Sequence, residues 1–432
     1  MYTNETYNQK KVSGNKALEC VKSGDRVVIG HCSAEPSYLV HLLTKNKEKY
    51  ENVEIVQLLP LGPAPYAEKG MENHFKYNSI FVGGSTRNAV AEGRADFTPC
   101  FFYQVPSLFR TTLPVDVALI DVTEPDEFGF CSFGVGVDYI KAAAENAKIV
   151  VAQINQNMPR TLGDSFIHIN DIDYIVEHTA PITEVPVPLI GEPELAIGRN
   201  CASLIHDGDT IQVGIGGIPD AVLASLKDKK NLGIHSELIS DGVLDLMERG
   251  VINNSQKEIN RGKTVASFIM GTKRLFDFID NNPAVAMHPI DYVNNPLIIM
   301  KHKNFVSINS CIQIDLMGQV VAETIGYKQI SGVGGQVDFV RGAAMAENGR
   351  SIIAMTSTAL DGKISKIVPY IDKGAAVTTS RNDVDYVITE YGIAALKGHS
   401  LCERAKALIS IAHPDFREQL LNEWKQKYKM AV

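Results

Sequence analysis

Three short passages of this chain occur twice, in the same order. Ser23-Gly-Asp-Arg-Val-Val-Ile-Gly30 is echoed by Asp207-Gly-Asp-Thr-Ile-Gln-Val-Gly214, Asp126-Glu-Phe-Gly129 by Asp315-Leu-Met-Gly318, and Gly134-Val-Gly-Val-Asp138 by Gly332-Val-Gly-Gly-Gln-Val-Asp338. The offsets are 184, 189 and 198–200, growing in step as a duplication with small insertions would leave them. A length of 432 residues allows two or three domains. The echo narrows this to two, similar in fold.

The fold class follows from the texture between the echoes. Short apolar runs at Arg26–Ile29, Val53–Leu59, Ser79–Val82, Val115–Val122 and Lys148–Ile154 alternate with helix-length stretches such as 14–24 and 36–50. That alternation predicts an α/β fold with a largely parallel sheet. The runs lack period-two patterning because both faces of such a sheet are covered. Pro181, Pro186, Pro188 and Pro193 then fall close together, and such spacing favours an extended connector. We therefore expect two related open α/β domains, 1–188 and 189–432, with the active site in the cleft between them, where ligand sites concentrate. The last stretch, Leu401 to Lys429, reads as helix interrupted at His413-Pro414.

Composition excludes several classes. A net charge of −8 argues against nucleic acid as the main partner. Seven cysteines, an odd number without C-x-x-C spacing, read as reduced thiols of a cytoplasmic protein. The eleven histidines show no paired-ligand spacing, so no metal is expected. The polar N-terminus is not a standard secretory signal, and no apolar run reaches the ~18 residues of a membrane span.

Four stretches can carry chemistry. Gly214-Ile-Gly-Gly-Ile-Pro219 follows the apolar strand Thr210–Val213 and precedes a helix predicted over 220–227, the arrangement that brings backbone N–H groups to an anion. It is not G-x-G-x-x-G, because its sixth position is Pro219; from Gly332 the sixth position is Val337. Ser331-Gly-Val-Gly-Gly-Gln-Val-Asp-Phe339 is richer in glycine than a packed element tolerates, so the backbone turns with positive φ or something comes very close. Asn294, ahead of Asn295-Pro296, reads alone as a turn former. Gly233-Ile-His-Ser-Glu-Leu-Ile-Ser-Asp-Gly242 reads alone as a short strand and turn, with Glu237 a surface charge. The company of the two glycine segments and Asn294 gives Glu237 a second reading, as a nucleophile in a narrow, partly dry site.

Together with Ala34-Glu35-Pro36, Ala91-Glu92-Gly93, Asp291-Tyr-Val-Asn-Asn-Pro296 and Ile364-Ser-Lys-Ile-Val-Pro369, these stretches make the chain resemble, along nearly its whole length, the acetyl-CoA hydrolase/transferase family, and within it the 4-hydroxybutyrate CoA-transferases. The resemblance implies two related α/β domains and a ping-pong transfer of CoA from acetyl-CoA or butyryl-CoA to 4-hydroxybutyrate, through a glutamyl-CoA thioester. It makes Glu237 the nucleophile, Asn294 its orienting partner, and Gly334 or Gly335 the oxyanion donor. It implies a CoA and thioester pocket from Gly214, Ile215, Gly216, Gly217, Ile218, Gly332 and Gln336, with Lys363 and Lys366 as candidate CoA contacts. Glu35 matches a family position, and His31, Gln57 and Met158 are further candidates for the acyl pocket. Met158-Pro-Arg-Thr161 is closer to butyryl-CoA:acetate transferases, which leaves that activity and acetyl-CoA hydrolysis as alternatives. No tightly bound cofactor is expected, only CoA and acyl-CoA as substrates. The expected partners are small molecules, not nucleic acid or membrane, with a homodimer or higher homo-oligomer as the assembly. Asp338 and Arg341 read as a structural pair.

Overall fold

Val27, Val28 and Ile29 have no exposed surface, and neither do Ala118, Leu119 and Ile120. Runs buried on both faces need a sheet covered on both sides, and the computed structural model has one. It describes residues 4–428; Met1–Thr3 and Lys429–Val432, including the last residue of the predicted C-terminal helix, lie outside these. The chain groups into two units, Met1–Pro186 with Val265–Val293, and Val187–Thr264 with Asn294–Val432.

The first unit carries β1 (Arg26–Ile29), β2 (Val53–Gln57), β3 (Phe75–Ser79), β4 (Ala95–Phe97), β5 (Val117–Val122), β6 (Ile149–Ile154) and β7 (Tyr174–Glu177). They lie in the order β4-β3-β2-β1-β5-β6-β7, every neighbouring pair parallel. The strand order reverses between β1 and β5, the switch point where open α/β sheets receive ligands beyond their carboxyl ends. The run predicted at 79–82 is strand only up to Ser79, and the helix predicted over 14–24 is Gly14–Ala17 followed by a 3-10 turn.

The second unit carries β8 (Thr210–Val213), β9 (Gly233–Ile234), β10 (Phe305–Asn309), β11 (Arg350–Ala354), β12 (Tyr386–Thr389) and β13 (Gly392–Ala395). Their order is β9-β8-β10-β11-β12-β13, parallel except for the last hairpin. Here the switch point lies between β8 and β10. Helices Leu401–Ser410 and Pro414–Tyr428 break where Pro414 cannot continue a helix.

The units are not two continuous halves, as a single boundary near 188 would make them. Residues 265–293 group with the first unit because their backbone is tied there: Val137 N–H donates to Ser267 O (2.9 Å), Ile269 N–H to Val135 O (2.8 Å) and Met287 N–H to Leu162 O (2.7 Å). No local composition signals such an excursion. Among the described residues, no helix is long and apolar enough to cross a membrane.

Candidate active site

Each glycine segment of the second unit sits at the end of a strand or the start of a helix. Past β8, Gly216 takes φ 115°, open only to glycine, and caps the helix Gly217–Ala224. That helix starts inside the glycine motif, three residues earlier than predicted. Asp220 lies in its first turn, where burial, and then the neighbouring Asp241 charge, push its carboxyl up to about 6.

Past β9 the chain is held closely. His235 N–H donates to Ile211 O (3.2 Å), and Ser236 Oγ donates to Val213 O (3.0 Å). Both residues are fully buried, and Glu237 follows, half-buried. Asn294 Nδ2 donates to Glu237 Oε2 at 2.8 Å and faces Asp338 Oδ2 at 3.4 Å. Two carboxylates can only accept, so they fix which end of the Asn294 amide points to them. The turn-forming role belongs to the next residue: Asn295 Oδ1 accepts from Leu297 N–H and caps the helix Pro296–Ile299.

Gly335 closes the group. It caps the ten-residue helix Gln336–Met345, with Gly334 before it at φ 53°. A Cβ on Gly335 would overlap both Glu237 Oε2 and Asn294 Nδ2. A helix N-terminus and an amide N–H are the partners an anionic oxygen takes. Gln336, the first helical residue, is buried, and its Nε2 has no hydrogen-bond partner in the structure. Gly332 is buried, Gly214, Gly217 and Ile218 are half-buried, and Ile215 is exposed.

Lys363 is exposed at the tip of the hairpin joining Thr358–Ala359 to Ile364–Ser365. Lys366 is half-buried, and its backbone bonds Ser357 O and Ile314 N–H. Arg341 forms an ion pair with Asp383 at 3.7 Å.

In the first unit, His31 and Glu35 lie just past β1, at the switch point. His31 Nε2 meets Asp138 Oδ2 at 2.9 Å, and its ring packs on Tyr139 and Phe268. Burial works against the charged ring, but the Asp138 carboxylate overrides it and holds His31 well above the usual imidazole range. Gln57 spends both amide hydrogens, on Gly30 O (2.7 Å) and Glu35 Oε2 (2.8 Å), and its Oε1 accepts from Tyr66. Glu35 is half-buried, with its carboxyl raised by burial. Met158 is buried behind the glycine turn, its sulfur accepting from Val135 N–H at 3.5 Å. It lines a cavity of about 660 Å³ with Gln156, Asn157, Ile182, Lys273 and Phe276. That cavity is walled by the first unit alone, and Glu237, Asn294 and Gly335 are not in its wall.

Glu237, Asn294 and one of the two expected glycines, Gly335, lie together in the structure, and Asp338, the second acceptor of Asn294, was not expected beside them. The echo Asp138/Asp338 was the available signal, because both aspartates end their glycine loops.

Comparisons with known proteins give the family. Residues 1–190 match the acetyl-CoA hydrolase/transferase N-terminal domain, and 271–424 match its C-terminal domain. A 4-hydroxybutyrate coenzyme A transferase of Clostridium kluyveri is 61% identical over 98% of this chain and 99% of its own length. A butyryl-CoA:acetate CoA-transferase of Anaerostipes caccae is 37% identical over 97% of this chain and 96% of its own. The crystal structure of a 4-hydroxybutyrate CoA-transferase from Porphyromonas gingivalis superposes with a TM-score of 0.86, at 44% identity, covering 98% of this chain and 99% of that one. The chain belongs to the acetyl-CoA hydrolase/transferase family and is an enzyme of its CoA-transferase type.

Proposed function

We propose that this enzyme moves CoA from acetyl-CoA or butyryl-CoA to 4-hydroxybutyrate, with Glu237 as covalent carrier. A Glu237 oxygen adds to the thioester carbonyl, the C–S bond breaks, and CoA leaves as thiolate from a mixed acyl–glutamyl anhydride. The thiolate adds to the glutamyl carbonyl and expels the donor acid, leaving glutamyl-CoA thioester. An incoming carboxylate then runs the two steps backwards, and the new acyl-CoA departs. The energy of the thioester stays in the covalent enzyme throughout.

One observation carries this reading: the 2.8 Å bond from Asn294 to Glu237 Oε2, with Gly335 packed against both. The amide holds one carboxylate oxygen in place, and the lack of a side chain at Gly335 lets the carboxylate and the amide pack against the backbone there. An N–H of Gly334 or Gly335 is the proposed donor to each tetrahedral oxyanion. Gly214–Ile218, Gly332 and Gln336 are proposed for the CoA arm, with Lys363 or Lys366 toward its phosphates. His31, Glu35, Gln57 and Met158 are proposed for the acyl side; of these Glu35 is the half-buried group, and Gln57 donates to it.

The acceptor is inferred from the names of the Clostridium kluyveri and Porphyromonas gingivalis relatives. Acetate as the acceptor of butyryl-CoA is the second reading, favoured by the Anaerostipes caccae relative and by Met158-Pro-Arg-Thr161. A site that hydrogen-bonds the terminal hydroxyl should prefer 4-hydroxybutyrate over butyrate by about 10⁴-fold, whereas a merely apolar one separates chain lengths by about 10–200-fold. Competition between the two acids decides.

Incubation with butyryl-CoA and no acceptor, followed by borohydride, should reduce a single side chain to an alcohol, and peptide mapping should place it at Glu237. Label on Cys32 or another thiol, or near-normal transfer by Glu237→Ala, would sink the mechanism. Release of CoA independent of any added acid would make the enzyme a hydrolase.

A further inference from the structure

We propose that Lys257 is a positioning residue for the carboxylate at 237, an inference resting on the reading of Glu237 as nucleophile. Strand β9, which leads into Glu237, is two residues long and lies at the sheet edge. One side pairs with β8, Thr210 against Gly233 and Ile211 against Ile234. The other side begins with ordinary backbone partners: Leu232 N–H donates to Val251 O (2.9 Å), and Leu232 O accepts from Asn253 and Asn254 N–H (3.1 and 3.0 Å). At Ile234 the backbone partners stop and two side chains take over. Asn254 Oδ1 accepts from Ile234 N–H at 2.9 Å, and Lys257 Nζ donates to Ile234 O at 2.6 Å.

Both substitutes are built into the interior. Lys257 is 3% exposed and Asn254 is 2% exposed. Lys257 spends a second hydrogen on Lys263 O at 2.6 Å, and Asn254 Nδ2 donates to Thr264 Oγ1 at 3.0 Å, so the loop from 251 to 264 is closed on itself while it holds the strand. The lysine stem lies over Gly233, where a Cβ would come within 2.7 Å of its Cγ.

An amine is an expensive choice here. Burial pushes Lys257 down to about 7. The neighbouring His302 is pushed down to about 3, by burial and then by Lys257. Apolar replacements of buried charged groups are often neutral or stabilising, so packing alone does not explain an amine. What it supplies is a short bond to the buried Ile234 carbonyl, which would otherwise lack a donor, and a second bond that ties it to Lys263 O. Only His235 and Ser236 separate Ile234 from Glu237. A shift of the Ile234 carbonyl is passed to the carboxylate, and about 1 Å of misplacement can cost about 10²-fold in rate.

The test is Lys257→Met, which keeps the stem and removes the amine. Glutamyl-CoA formation from butyryl-CoA is followed by rapid quench into borohydride, with mass analysis at Glu237. The expected result is trapping about 10–100-fold slower than in the unmodified enzyme, with KM for butyryl-CoA within about twofold. Equal trapping rates would overturn the inference, as would a loss spread equally over kcat and KM. Absence of trapping in the unmodified enzyme would instead remove the nucleophile reading, and this inference with it. If Lys257→Met does not fold, Gly233→Ala crowds the same stem while keeping the amine; it should slow trapping about fivefold, and an unchanged rate would overturn the inference equally.

Discussion

The two glycine loops are one device put to two uses. Counting back from the aspartate that ends each loop, Gly134 matches Gly334, and the two take φ 61° and 53°. The aspartates are buried alike, Asp138 at 0% and Asp338 at 1% exposure. One residue after the matched glycine the loops diverge: the first unit has Val135, itself buried, and the second has Gly335. In the first unit Asp138 grips His31, and the rings of Tyr139 and Phe268 pack on the imidazole. In the second, the space a valine would fill is taken by Glu237 and Asn294, and the carboxylate stays half open. The missing side chain at 335 thus separates the loop that packs a carboxylate and an amide against its backbone from the loop that does not.

The sharpest way to break this comparison is to give the second loop a side chain. Gly335→Ala places a methyl on Glu237 Oε2 and Asn294 Nδ2, and should reduce transfer on the order of 10³-fold while the protein stays folded. The mirror change, Val135→Gly, removes a buried side chain and frees the backbone, and should cost about 2–4 kcal/mol of stability. Steady-state kinetics and denaturant titration of both variants would read the two effects. A Gly335→Ala enzyme of near-normal activity would show that the missing side chain is incidental.

The aspartates should separate by the same logic with a smaller effect. Asp338→Ala removes one of the two acceptors that orient the Asn294 amide, and should lower kcat about 10–100-fold, less than losing a direct oxyanion donor. Asp138→Asn should act on stability, with a sign set by pH. His31 is raised in the folded state, so the stability it gains from Asp138 is fully present below about pH 6.5 and is lost as pH climbs through the raised value. The stability gap between the unmodified protein and Asp138→Asn should therefore be widest in mild acid and narrow toward alkaline pH, in urea titrations at fixed pH. A gap that stays constant across this range would show that His31 is neutral in the fold.

Much of this is legible in the sequence. The duplicated passages, the alternation of buried runs with helices, and the glycine segments flanking Glu237 are local patterns, and local patterns survive in sequence. The choice of Gly335 over Gly334 against the carboxylate was not legible, because both glycines satisfy the same pattern and only the packing of residues 237 and 294 tells them apart. The bond of Asp338 to Asn294 was not legible either, because it spans 44 residues. The return of 265–293 to the first unit was equally hidden, since backbone hydrogen bonds such as Met287 to Leu162 leave no compositional trace.

The smallest expected difference lies in a turn that both units repeat almost atom for atom. Asp126 Oδ1 accepts from Phe128 and Phe130 N–H at 3.0 and 2.9 Å; Asp315 Oδ1 accepts from Met317 and Gln319 N–H at 3.0 and 2.9 Å. Gly129 and Gly318 follow at φ 90° and 94°. If the shared bonds were all that mattered, Asp126→Ala and Asp315→Ala would cost the same. The surroundings differ: the Asp126 side chain is 28% exposed and its second oxygen meets Arg160 at 2.6 Å, whereas Asp315 is fully buried and its second oxygen accepts from Gln319 Nε2 at 2.6 Å. Water can replace a lost acceptor at the exposed turn and not at the buried one. Asp315→Ala should therefore cost about 2–3 kcal/mol and Asp126→Ala about 1 kcal/mol. Urea titration of the two variants can resolve that difference. Equal costs would mean that the turn's own backbone bonds dominate and that burial adds nothing.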